Sequence, residues 1–161
     1  MCQELKVDHG ILAPLPLLFE TPWPVPLIPL EVNVLRHPLP TVQRCYKLGK
    51  AIRRAIDAYP EALRIVILGT GGLSHELQGT NFGRIEPEWD KDFLERIEKD
   101  PQSIARQSHA ELMAAAGTEG VEVIMWLIMR GALNEKVRRV HRSYYQAMLT
   151  GLGLLVIENT D

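Results

Sequence analysis

The stretch LRIVILGTGGLSH, Leu63 to His75, decides the reading of this chain. Its first half, Leu63 to Leu68, is a short apolar run rich in β-branched residues, the pattern of a strand buried on both faces. Its second half, Gly69 to His75, holds three glycines, which allow positive φ and close backbone approach to a ligand. Open α/β sheets bind ligands beyond the carboxyl ends of their strands, so Ser74 and His75 would stand at such an edge with a hydroxyl and an imidazole. A phosphate loop does not fit. The dinucleotide fingerprint GxGxxG has Ser74 where its third glycine belongs, and no GK[ST] follows.

Working outward, Leu30 to Leu35 (LEVNVL) alternates and reads as a strand. Thr41 to Tyr59 reads as an amphipathic helix with Thr41 as N-cap and Tyr46, Leu48, Ala51, Ile52, Ala55 and Ile56 on its buried face. Glu88 to Lys99 reads as a charged surface helix. Asp100-Pro101 opens another toward Ala116, Gly117 breaks it, and Thr118 caps a further helix to about Arg130. Leu152 to Ile157 reads as a final strand. Strands alternating with helices predict an α/β fold, a layered mixed sheet flanked by helices. Eight of the eleven prolines fall between Pro14 and Pro40, and Glu20 is the only charge from Ile11 to Leu30. That segment cannot be a continuous helix and is too apolar for a solvated linker, so an extended, packed segment is expected.

Length and composition bound the function. The chain has 161 residues, one domain's worth, with 46% hydrophobic and 24% charged residues, which excludes a disordered chain, a coiled coil and a collagen-like fibre. A net charge of -2 leaves no overall footprint for nucleic acid or an anionic membrane surface. Charge-free stretches are broken by proline, so no membrane span is expected. Two cysteines, Cys2 and Cys45, are too few for a disulfide scaffold, and no signal peptide is read at the N-terminus. A reducing cytoplasm is the expected compartment.

Among the remaining polar residues Glu122 stands out. On a helix from Thr118 it shares a face with Met125, Trp126 and Met129, where a carboxylate needs a cation, donors or a metal. The plainer alternative is a first-turn carboxylate that favours the helix dipole and reaches water. Asp8-His9-Gly10 precedes an apolar run and could end a strand. His37, next to Pro38, fits a turn. His109 and His141 lie in charged surroundings that suit solvated side chains, as does the basic cluster Arg138, Arg139 and Arg142. Cys45 reads as a small core residue.

Three segments, DHGILAPL at 8–15, GTGGLSHELQG at 69–79 and EVIMWLIMRGAL at 122–133, in this order and spacing, resemble the class III extradiol ring-cleavage dioxygenases. The similarity is to catalytic β subunits of the protocatechuate 4,5-dioxygenase and gallate dioxygenase type, and it spans nearly the whole chain. It implies a non-haem Fe(II) enzyme that cleaves a catechol-type ring with dioxygen, active as a homo-oligomer or with a small companion subunit. It implies Glu122 as the glutamate metal ligand, His75 as an acid/base histidine beside the metal, and His9 as a histidine lining the substrate pocket; Ser74, at the edge of the glycine loop, is expected to bind substrate as well. In the family both histidine ligands precede the DHG segment, whereas none of the eight residues before His9 is histidine. Residues 1–161 are therefore expected to be a single domain equivalent to the C-terminal portion of such a subunit, and the alternative reading is a non-catalytic or assembly-dependent domain that lacks the two N-terminal histidine ligands. Around Tyr145 to Thr150, where relatives acting on carboxylated rings carry small polar residues, Met148 and Leu149 are apolar.

Overall fold

The computed structural model describes residues 7–34 and 36–160, so Cys2 and Leu35 lie outside the described residues. Two compact units are present, Met1–Val32 and Asn33–Asp161.

In the first unit, α1 (His9–Leu12) starts where the Asp8 carboxylate accepts the Gly10 N–H at 2.7 Å. Asp8-His9-Gly10 therefore opens a helical turn rather than ending a strand, because an aspartate with non-helical backbone is a strong N-cap. After Pro14 a second turn, α2, covers Leu15–Leu18. The Pro22–Pro26 run is not helical, as expected, but Leu17 and Ile28 are exposed, so the packing expected of this segment is not met at those positions.

In the second unit, α3 (Val42–Asp57) is capped by Thr41, whose hydroxyl accepts the Arg44 N–H. Its buried stripe is Val42, Cys45 and Gly49, not the face expected from Leu48 and Ala55, which are exposed. The shift follows from a close crossing with α7 (Ile124–Gly131). A side chain at Gly49 would strike the Ile128 carbonyl, and one at Gly131 the Tyr46 carbonyl. Burial pushes the Cys45 thiol up, against the pull of Arg44, in keeping with an inert core cysteine.

Helix α4 (Pro87–Lys99) has a buried face of Asp90, Phe93, Leu94 and Ile97, so it is amphipathic rather than wholly surface. Phe93 stacks on Trp89 and meets the edge of Trp126, which joins α4 to α7. The helix expected from Asp100 to Ala116 is two: α5 (Pro101–Ala105) and α6 (His109–Ala116). Ser108 and Glu111 form a reciprocal capping box that restarts the backbone. Thr118 makes no side-chain cap. A 3₁₀ turn, Glu119–Val123, leads into α7 instead. Phe93, Ile97, Ile104, Leu112, Ile124 and Leu127 are fully buried, each stabilising by about 1.5–3 kcal/mol.

The sheet among the described residues is an antiparallel hairpin, β1 (Val137–Ala147) with β2 (Thr150–Asn159). The expected strand Leu152–Ile157 lies within β2, while β1 was not read as a strand. Residues 30–34 and Leu63–Leu68 are not paired in any sheet, so the layered mixed sheet expected from them is not seen among the described residues. No single helix among those residues is long and apolar enough to cross a membrane.

Candidate active site

The Gly69–His75 loop is stitched to the start of β2 and the end of α6. Leu73 N–H donates to the Gly151 carbonyl, Gly151 N–H to the Ser74 carbonyl, and His75 N–H to the Ala116 carbonyl, at 2.8–2.9 Å. A single bridge pairs His75 with Thr150. Leu73, Ser74, His75 and Glu76 are buried there, after the half-buried Gly69–Gly72 and the mostly exposed Leu63–Leu68.

His75 is 6% exposed, and its Nδ1 lies 2.8 Å from the Leu73 carbonyl oxygen. A carbonyl only accepts, so Nδ1 must carry the hydrogen, which leaves Nε2 of the neutral ring as the proton acceptor. Burial pushes the Glu119 carboxyl up, but bonds from the Thr118 hydroxyl and the Leu77 N–H hold it below the ordinary value.

Glu122, half-buried in the 3₁₀ turn, accepts the Gly72 N–H at 3.2 Å. Its carboxylate is therefore not an orphan on an apolar face. The Trp126 indole N–H donates to the Gly71 carbonyl at 3.1 Å and holds the loop on α7. Gly71 has φ +116°, and a Cβ there would stand 3.0 Å from the Glu122 Cβ; a Cβ on Gly72 would stand 2.9 Å from Cε1 of His75. The Gly71-Gly72 pair thus touches the carboxylate on one side and the imidazole on the other, and neither position has room for a side chain.

Other expected residues are placed differently. Ser74 is fully buried, and its hydroxyl donates to Asp90 at 2.8 Å and accepts the Glu86 N–H at 2.7 Å. Its proton is thus committed to Asp90, and the hydroxyl expected to meet a substrate is turned into the protein. His9, in the first unit, is exposed beside Asp8, and His37 is exposed too. His109 is half-buried at the start of α6 with an enclosed, unpartnered Nε2, not solvated as expected. His141 is exposed. The basic cluster is paired, Arg138 with Glu158, and Arg139 and Arg142 with Glu98.

Asp90 was missed by reading α4 as surface. The signal was present: residues 90, 93, 94 and 97 follow the i, i+3, i+4, i+7 spacing of a buried helix face. Among the described residues no three His, Cys, Asp or Glu side chains converge to hold a metal ion. Glu122 can offer one oxygen donor, and the facial triad implied by the resemblance is not assembled from these residues.

Residues 1–155 match the family described as the catalytic LigB subunit of aromatic ring-opening dioxygenase. The chain belongs to the LigB family. It is 48% identical over 161 residues to a gallate dioxygenase of Pseudomonas putida, covering 99% of this chain and 47% of that protein. It is 34% identical over 103 residues to a 2,3-dihydroxyphenylpropionate/2,3-dihydroxicinnamic acid 1,2-dioxygenase of Photorhabdus laumondii, covering 64% of this chain and 31% of the other. It is 27% identical over 200 aligned positions to a similarly named Pseudomonas putida protein, covering 94% and 63%. The chain spans about half the length of that gallate dioxygenase.

Proposed function

We propose that this segment carries the proton-handling side of an extradiol aromatic ring-cleaving dioxygenase acting on a catechol-type substrate of the protocatechuate or gallate kind. One observation carries the reading: the Leu73 carbonyl commits Nδ1 of His75 and leaves Nε2 as the base, one glycine away from the Glu122 carboxylate. His75 would take a proton from a ring hydroxyl at Nε2 and return it as the ring opens. Burial of the imidazole keeps bulk water from competing for that proton. Membership of the LigB family supports the substrate class.

Iron would be the metal in this reading, with Glu122 as one donor; the described residues do not complete a site, so the other donors would come from elsewhere. A second reading, in which the segment functions only within a larger assembly, is favoured by the exposed apolar side chains of Leu63, Ile65, Val66 and Leu68; the cytoplasm stays the expected compartment.

The test uses the ring-cleaving protein that carries this segment, with Glu122→Ala and His75→Ala assayed for iron content and turnover of gallate and protocatechuate. Glu122→Ala should lose iron and turnover together. His75→Ala should keep iron while its rate falls by roughly 10²–10⁴. If iron follows His75 and not Glu122, the roles are reversed; if neither variant changes, the reading fails.

A further inference from the structure

Asp90 sits 54 residues from Tyr144 and 16 from Ser74 in the chain, yet its carboxylate gathers three donors. Oδ1 accepts the Ser74 N–H at 2.7 Å. Oδ2 accepts the Ser74 hydroxyl and the Tyr144 hydroxyl, each at 2.8 Å. The side chain is completely buried, and no ion pair reaches it among the described residues. Gly151 leaves room for it: a side chain there would collide with Oδ2. Burying a carboxylate against neutral donors alone is costly, and an apolar residue on that face of α4 would avoid the cost.

The Ser74 N–H and the Leu73 C=O belong to one planar peptide group and point in opposite directions. Asp90 holds the N–H end of that plane, and Nδ1–H of His75 bonds the C=O end. We infer that Asp90 is a positioning residue that acts on His75 through the Leu73–Ser74 peptide, fixing the plane of the imidazole and keeping its hydrogen on Nδ1. A carboxylate pulling on the N–H polarises the carbonyl and strengthens its bond to Nδ1–H, since hydrogen bonds in a chain reinforce one another. The arrangement is an aspartate–histidine pair with one peptide group between the members. It rests on the reading of His75 as the proton-moving residue.

The test is a double-mutant cycle in the ring-cleaving protein that carries this segment, comparing Asp90→Asn, His75→Ala and the double variant, with kcat, KM and iron content measured for each. Asparagine keeps the volume but turns a donor toward donors. Asp90→Asn should lower kcat about 10- to 100-fold, the scale of a misplaced catalytic group, with KM and iron unchanged. In the His75→Ala background the same substitution should cost less than about twofold, because the group it positions is gone. An equal loss in both backgrounds, a change confined to KM, or an unchanged kcat overturns the inference while leaving the role of His75 intact. If His75→Ala itself leaves kcat unaltered, the reading of His75 falls and the inference with it. Should Asp90→Asn fail to fold, Tyr144→Phe removes one of the three donors and should show the same kcat-only pattern at about two- to tenfold. Absence of that pattern overturns the inference equally.

Discussion

Leu63–Leu68 and Gly69–His75 are consecutive in the chain and opposite in circumstance. The first is the more apolar, yet Leu63, Ile65, Val66 and Leu68 are exposed, Val66 to 83%, with no strand beside them among the described residues. The second is glycine and polar residues in all but Leu73, yet Leu73, Ser74 and His75 are buried and bonded to β2, α6 and Asp90. Apolar side chains supply a reason to be buried but no specific partner. Peptide groups and a carboxylate supply directional ones.

The largest expected effect separates the two regions chemically. Glu122→Ala and His75→Ala should each abolish or cripple ring cleavage as described above, whereas Val66→Ala should leave kcat within about twofold of the parent, as expected of a surface change away from the site. Steady-state turnover of all three variants makes the comparison, and a Val66→Ala loss as large as that of His75→Ala would break it.

Next, Gly72→Val should cost about 100-fold in kcat, because its Cβ would press on Cε1 of His75 and on the Thr150 methyl, displacing the imidazole. Iron content and melting temperature measured alongside kcat distinguish displacement from unfolding.

Stability should divide the molecule in the same way. Leu127→Ala, in the core of α7, should cost about 2–5 kcal/mol in denaturant unfolding, while Val66→Ala should stay within about 0.5 kcal/mol. Val66→Lys should reduce self-association in light scattering if the exposed run is a sticky surface. A large destabilisation by Val66→Ala would show that the run is covered in solution.

The smallest effect concerns the tyrosine on Asp90. Burial first, and then the bond to Asp90, push the Tyr144 hydroxyl up to about 12 from 10.0, against the pull of Gln146. A raised value means that the folded state holds this proton more tightly. Its contribution is complete below about pH 10 and lost as pH climbs toward about 12. The free energy of unfolding measured over that window should fall more steeply for the parent than for Tyr144→Phe, and the phenolate absorbance of Tyr144→Phe should lack one step near pH 12 that the parent shows.

Local sequence determined what local physics controls. Thr41 capping α3, Pro101 opening α5 and Gly117 ending α6 are legible because caps, prolines and glycines act within a few residues. The reading failed where the deciding partner is remote. Leu63–Leu68 has the composition of a strand, but a strand exists only with a neighbour to accept its N–H groups. β1 was hidden because its pairing with β2 is set by the hairpin, whose turn residues Met148 and Leu149 adopt positive φ without the Asn or Gly that usually announces it. The inward turn of the Ser74 hydroxyl is likewise set by a remote partner, Asp90 on α4, whereas the nitrogen of His75 that carries the hydrogen is set by the Leu73 carbonyl two residues away, in a loop conformation that only the packing of α4, α7 and β2 around it fixes.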